Sequence, residues 1–238
     1  MIAYFAWVAI GIVLAFVARR WQGDVTGLDA RERSGVLFVA IGGAILGAYL
    51  FQLPADLFGW NAPLPAGLSA PDGLPLGGRT VLGGMLGGWI AVELGKRAFG
   101  ITRPTGDAFA LPLAIALGFG RMGCWSAGCC AGRACEPSVF ASVDAAGTPR
   151  VPVQLIEVLF HAVCAAGLAI ATRRRWLSGR RLAAYVTAYA IARFTLEFWR
   201  LQPTVIAGLT YHQLLSLALA VLAGATWWSR RARLAMAA

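Results

Sequence analysis

The sequence predicts an all-α, polytopic membrane protein with seven transmembrane helices, the N-terminus outside and the C-terminus cytoplasmic. Three observations predict it. Of the 238 residues, 58% are hydrophobic and only 13% charged, whereas a soluble domain carries about a quarter charged residues. So little polar surface cannot cover a globule of this length. Apolar runs approaching the roughly 20 residues that a helix needs to cross a bilayer recur along the chain. The basic residues gather in alternate connections between those runs, which sets an orientation.

The first run, 2–18, is followed by Arg19 and Arg20. A secretory signal places its basic residues before the apolar stretch and a small-residue cleavage site after it. Neither is evident, so this run reads as a retained span. Runs at 35–53, 80–94, 107–125, 151–172, 182–199 and 205–228 complete the seven, the third being short and rich in glycine. Small residues recur in GGAILGAYL from Gly42 and in LGGMLGGW from Leu82, a spacing that lets membrane helices pack closely. The two longest connections, 54–79 and 127–150, read as external loops that cap a site. Residues 1–238 form a single integral membrane domain.

Fifteen of the 21 Lys and Arg residues lie in one set of connections: Arg19, Arg20, Arg31, Arg33, Lys96, Arg97, Arg103, Arg173, Arg174, Arg175, Arg180, Arg181, Arg230, Arg231 and Arg233. The positive-inside rule makes that set cytoplasmic. The net charge of +10 falls in short clusters, which suit anionic lipid headgroups rather than one nucleic-acid-binding face. No nucleic-acid partner is expected.

An ionisable group within the hydrocarbon costs roughly 2.5–3.5 kcal/mol on insertion scales and needs a partner or a role. Arg121, Glu157, His161, Arg193 and Glu197 are such groups. Arg193 and Glu197 stand four apart on one helical face, with Arg200 extending it. They read either as a structural ion pair or as a phosphate site, in which the planar guanidinium engages two oxygens. Glu157 and His161 repeat the spacing, as half of a metal site or as a hydrogen-bonded core pair. Glu93 precedes Lys96 and Arg97 as an interfacial partner. His212, near the outer end of the last span, is a candidate base or simply a hydrogen-bonded histidine.

The most distinctive stretch is GRMGCWSAGCCAGR, from Gly120 to Arg133. Its Cys124, Cys129 and Cys130, with Cys135 beyond, admit three readings. A four-thiolate metal site is one, although the paired CxxC of zinc ribbons is missing. A disulfide, Cys124–Cys130 or Cys129–Cys135, suits an external connection. A free thiolate beside Arg121 or Arg133 is the third. Cys164, alone in a span, reads as an apolar filler.

Taken in order, these pieces resemble the prolipoprotein diacylglyceryl transferase family, seven-helix enzymes of the bacterial inner membrane that move diacylglycerol from phosphatidylglycerol to the lipobox cysteine of a prelipoprotein. Tyr4 opens a first helix similar to the family's. GGAILGAYL and LGGMLGG match its glycine-rich second and third segments. Arg121, Gly123, Gly128, Gly132 and Arg133 keep the frame of its signature. VPVQLIE (to Glu157), ARFTLEFWR (to Arg200) and HQLLS (from His212) resemble its later blocks. The resemblance covers nearly the whole chain.

It implies that Arg121 and Arg193 hold the phosphatidylglycerol headgroup, with Glu197 orienting Arg193. Tyr4 and His212 join these three as candidate catalytic residues. Gly83, Gly84, Gly123, Gly132, Arg133, Gln154, Glu157 and Arg200 are candidates for binding or shaping the substrate site. It implies a transferase of lipoprotein biosynthesis, multi-pass in the bacterial inner (cytoplasmic) membrane, its site toward the outer leaflet, with a prelipoprotein or other thiol as acceptor. No cofactor or metal is expected. The chain departs from the family at Leu82, where a histidine usually precedes the paired glycines. Cys124 replaces the signature's asparagine, Cys129 its acidic residue, and Tyr49 an arginine of the second helix. These changes leave two other readings open: a phospholipid-dependent transferase with a different acceptor, and a membrane thiol-redox or metal-handling protein.

Overall fold

The computed structural model describes residues 2–60, 80–138, 141–144 and 146–236, with the backbone alone for 230–236. Eight helices lie among the described residues: α1 (Ile2–Trp21), α2 (Ala30–Leu50), α3 (Leu53–Leu57), α4 (Val81–Ala98), α5 (Asp107–Ser126), α6 (Val153–Arg173), α7 (Arg181–Glu197) and α8 (Tyr211–Met236). Two short antiparallel hairpins join them, β1 (Ser142–Val143) with β2 (Pro149–Arg150) and β3 (Thr204–Ile206) with β4 (Leu209–Thr210).

Four segments are long and apolar enough to cross a membrane: Ile2–Trp21, Ala30–Leu57, Asp107–Ser126 and Val153–Arg173. The other three long helices also carry polar side chains. Glu93, Lys96 and Arg97 lie on α4, Arg193 and Glu197 lie on the 17-residue α7, and α8 opens on Tyr211, His212 and Gln213. Large apolar side chains point outward, among them Phe38, Leu159, Val163 and Val221, each more than 60% exposed. Water would penalise such a surface, whereas lipid accepts it, and helices satisfy their own backbone groups there.

The helix ends follow from local chemistry. Asp29 caps α2: its carboxylate accepts from the Glu32 backbone N–H at 2.7 Å, and Glu32 accepts in return from the Asp29 N–H at 3.0 Å, a capping box. Arg19 and Arg20 close α1, where cations complement the negative end of the helix dipole. Asp107, at the start of α5, accepts from the backbone N–H groups of Gly179 (2.6 Å) and Arg181 (2.9 Å), which ties α5 to the start of α7.

Two expected boundaries are corrected. The second span was expected over 35–53, but the helix runs from Ala30 to Leu50, and Pro54 opens the separate turn α3. The last span was expected from residue 205. Residues 204–210 instead form the β3–β4 hairpin, turned at Ala207 (φ 51°) and Gly208 (φ 75°), and the helix starts at Tyr211. Thr210 caps it: its hydroxyl accepts from Gln213 N–H at 3.2 Å while its own N–H donates to Gln213 Oε1 at 2.9 Å. Apolar Val205 and Ile206 extend the hydrophobic run without being helical. Of the connection 54–79, residues 61–79 lie outside the described residues.

Helices pair as α1 with α5, α2 with α4, α5 with α6, and α7 with α8. The core gathers around α5, α7 and α8, with Ala114, Val186, Tyr189 and Leu219 fully enclosed, Leu215 buried beside them and Leu82 reaching in from α4. The α2–α4 contact is backbone on backbone. A Cβ on Gly47 would lie 2.5 Å from the Gly83 carbonyl oxygen, and one on Gly87 would lie 2.4 Å from that of Gly43. At Gly42 the space is open.

Gly87→Leu forces α2 and α4 apart, and overpacking of this kind costs about 1–3 kcal/mol, which in a chain of this length lowers the midpoint of thermal unfolding in detergent by about 2–12 °C. Gly42→Ala leaves that midpoint unchanged.

Candidate active site

The polar interior starts at the end of α7. Glu197 is 1% exposed. It pairs with Arg193 one turn earlier, and Arg200 Nε lies 3.4 Å from its Oε2. From the other side Thr210 Oγ1 donates to Oε1 at 3.3 Å, and His212 Nδ1 lies 3.7 Å from the same oxygen. One carboxylate thus gathers two guanidinium groups from its own helix end and two side chains from the start of α8. Gln213 adds a second tie, donating Nε2 to the Phe194 carbonyl at 3.4 Å.

A second buried pair spans α5 and α6. Arg121 Nε lies 2.5 Å from Glu157 Oε2. Arg121 and Arg193 each also interact electrostatically with Glu157 and Tyr189, and with each other. Both arginines therefore share one low-dielectric region in which each has its own carboxylate. One turn beyond Glu157, His161 sits against the Tyr189 ring, with its Nδ1 2.9 Å from Tyr185 OH. Glycine at position 118 leaves room for it, since a Cβ there would come 3.3 Å from His161 Cβ.

One turn before Glu157, Gln154 donates Nε2 to the Cys129 carbonyl at 2.7 Å. This bond anchors the segment that follows α5. Farther along, Gly132 N–H donates to Val151 O at 2.9 Å and Arg133 N–H to Trp199 O at 2.8 Å, while Arg200 Nη1 reaches Cys130 O at 3.4 Å. Gly132 is enclosed between two strands of chain: a Cβ would stand 2.8 Å from Trp199 O, Val151 Cβ and Val151 O. Glycine is required here by close approach rather than by its φ.

The sulfurs of Cys124, Cys129 and Cys130 lie within 4.8 Å of one another, and all five cysteines are free thiols. Hydrogen bonds from the Cys124 and Cys129 thiols, aided by nearby Arg200 and Arg121, hold Cys130 well below the ordinary thiol range. Donation to its neighbours and burial push Cys129 up. Cys135 lies elsewhere, with its N–H bonded to Pro149 O at 3.0 Å.

Of the residues singled out from sequence, the structure brings Arg193, Glu197, Arg200 and His212 together, and Arg121 with Glu157. Gln154 meets the cysteine segment, and Tyr4 packs on Gly123, whose Cβ would lie 3.0 Å from the tyrosine ring. Arg133 contributes its backbone to the clamp while its side chain is exposed. Gly83 and Gly84 face α2, and Leu82 is a core residue. Tyr185, Tyr189, Thr210 and Gln213 were missed. Tyr189 stands four residues before Arg193 on the same face, and the T-x-x-Q spacing of Thr210 and Gln213 is a readable cap. A cavity of about 720 Å³ lies beside this region, lined by Trp125, Gly128, Ser142, Gln154 and Leu159 among others.

A family model described as prolipoprotein diacylglyceryl transferase matches residues 2–229. The chain is 28% identical over 211 residues to the phosphatidylglycerol–prolipoprotein diacylglyceryl transferase of Clostridium tetani, covering 84% of this chain and 81% of that protein. It is 25% identical over 211 residues to such a transferase of Clostridium perfringens, with 85% and 80% covered. To one from Nocardia farcinica it is 30% identical over 230 residues, with 84% of this chain and 46% of that longer protein covered.

Removing the shared carboxylate leaves cations buried without a partner, a loss of about 3–5 kcal/mol. Glu197→Gln is accordingly expected to unfold in detergent at much lower temperature than the parent. Adding Arg193→Gln to it recovers part of the loss, a non-additivity that a double-mutant cycle measures.

Proposed function

The chain belongs to the prolipoprotein diacylglyceryl transferase family, and we propose that it transfers the diacylglyceryl group of phosphatidylglycerol to the lipobox cysteine thiol of a prelipoprotein. The observation that carries this reading is the pair of buried arginines, Arg121 and Arg193, each held by its own carboxylate and both facing one region. A guanidinium engages two phosphate oxygens together, and in a water-poor interior it stabilises developing anionic charge far better than in water.

In this reading the lipid enters from the side with its phosphate between Arg121 and Arg193. The thiolate sulfur attacks the diacylglyceryl carbon that bears the phosphate ester. A carbon–sulfur bond forms, the carbon–oxygen bond to phosphate breaks, and glycerol phosphate leaves with the electron pair. Arg121 and Arg193 meet the charge that grows on the leaving phosphate, and Glu197 and Glu157 fix their forks. The acceptor thiol gives up its proton first, because the thiolate is the nucleophile. In this reading His212, beside Glu197 at the start of α8, takes that proton, as Leu82 offers no basic atom. Tyr4 on Gly123, Gly132 in its clamp, and Gln154 on the Cys129 carbonyl shape the wall. Gly83 and Gly84 contribute by setting the α2–α4 spacing, and Arg133 and Arg200 by joining the 127–150 segment to the end of α7.

We place the chain in the bacterial inner membrane with seven spans, α1, α2 and α4–α8. The N-terminus is outside and the C-terminus cytoplasmic, following the basic connections. The site then faces the outer leaflet, on the side of the 127–150 connection. The capping role of 127–150 is supported by its backbone ties to Val151, Trp199 and Arg200.

The test is direct. Purified protein with labelled phosphatidylglycerol and a lipobox peptide transfers label to the peptide cysteine. Arg121→Lys and Arg193→Lys, which keep charge but lose the two-pronged donor, lower kcat by about 10²–10³-fold. Absence of transfer beside an active relative rejects the assignment. A C-terminal green fluorescent protein fusion fluoresces if the C-terminus is cytoplasmic.

A further inference from the structure

The cysteine segment is built more tightly than a connection needs to be. Cys124 lies in the last turn of α5, and the chain then reverses through Gly128 (φ 67°) and Cys130 (φ 63°). A left-handed conformation is uncommon outside glycine and costs of order 1 kcal/mol or more, so it persists only where surroundings enforce it. The enforcing contacts are on the backbone: Cys129 N–H to Cys124 O at 3.1 Å, Gln154 to Cys129 O, and Arg200 to Cys130 O. The Cys129 and Cys130 carbonyls are taken by Gln154 and Arg200, the Cys124 carbonyl by Cys129 itself, and the three sulfurs converge within 4.8 Å.

We propose that Cys124, Cys129 and Cys130 form a three-thiolate site for a soft monovalent cation of the Cu(I) type. Soft thiolate donors select Cu(I), zinc or iron–sulfur clusters. Structural zinc asks for four ligands in a tetrahedron, and the fourth cysteine of the region, Cys135, is not in the group. Three thiolates around one monovalent ion carry a net charge of minus two. Arg121 and Arg200, both electrostatically linked to Cys130, offset it. Because the loop is already held in place, little ordering is lost on binding.

The site also has a consequence for the proposed reaction, on which this second step rests. The loaded cluster is an anion beside Arg121, so it competes with the lipid phosphate, and the metal inhibits transfer. Binding itself is independent of whether transfer occurs.

The experiment titrates Cu(I) into reduced, anaerobic, purified protein against the chelator bicinchoninate, with thiolate-to-copper absorption in the ultraviolet as a second readout. One Cu(I) per chain is expected, with Cys124, Cys129 and Cys130 protected from alkylation in peptide mass spectrometry and Cys135 unprotected. Cys129→Ser and Cys130→Ser each weaken binding by at least about tenfold, since even outer-shell changes cost that much. Cys135→Ser and Cys164→Ser do not. The proposal is overturned by failure to retain a stoichiometric ion, by protection of Cys135 in place of the trio, or by retention of zinc without copper. The alkylation map uses the unmodified chain and decides even if a serine variant fails to fold. Copper bound to a protein that shows no transfer leaves this site standing and rejects the reaction.

Discussion

Glu197 is a carboxylate enclosed among two guanidinium groups, a threonine hydroxyl and a histidine ring. Bringing one such charge out of water costs several kcal/mol, and only close partners offset it. Its partners come from three places: α7 itself, the turn that ends it, and the cap of α8. The carboxylate therefore fixes where α7 stops, where α8 starts and how Arg200 meets the cysteine segment. The Gly132 and Arg133 backbone bonds to Val151 and Trp199 extend the same junction to the start of α6. Arg121 and Glu157 repeat the logic across α5 and α6, so the two arginines arrive in one region already oriented.

The remaining helices serve that junction by packing without charge. The α2–α4 contact uses glycines on both helices, Gly43 and Gly47 against Gly83 and Gly87, to bring backbones together, because lipid supplies no hydrophobic drive between helices and dispersion contact must take its place. Leu82, Met85 and Leu86 of α4 then close the core behind α5, α7 and α8. Basic residues sit at helix ends and connections, where they cost little and bias orientation.

Much of this was legible in the chain. The spans of α1, α5 and α6 follow from run length, and Arg193 with Glu197 follows from a spacing of four on one helix. The Arg121–Glu157 pair was not legible from spacing, because its members stand on different helices and only packing brings them together. The start of α8 was hidden by Val205 and Ile206, which continue an apolar run although Gly208 and the T-x-x-Q cap mark a turn and a new helix. The cysteines have no recognisable ligand spacing. Their convergence depends on a left-handed residue, Cys130, whose neighbourhood is held by Gln154 of α6 and by Arg200 of the turn after α7. The family frame located the region, and the side-chain contacts within it came from tertiary structure.

The central claim is that Arg121 and Arg193 together hold a phospholipid phosphate, and native mass spectrometry with added phosphatidylglycerol tests it most directly. Replacing each ion pair as a unit, Arg121→Gln with Glu157→Gln or Arg193→Gln with Glu197→Gln, avoids leaving a buried charge alone. The account predicts one phosphatidylglycerol retained by the parent protein and lost from both double variants. Equal retention by all three would contradict it.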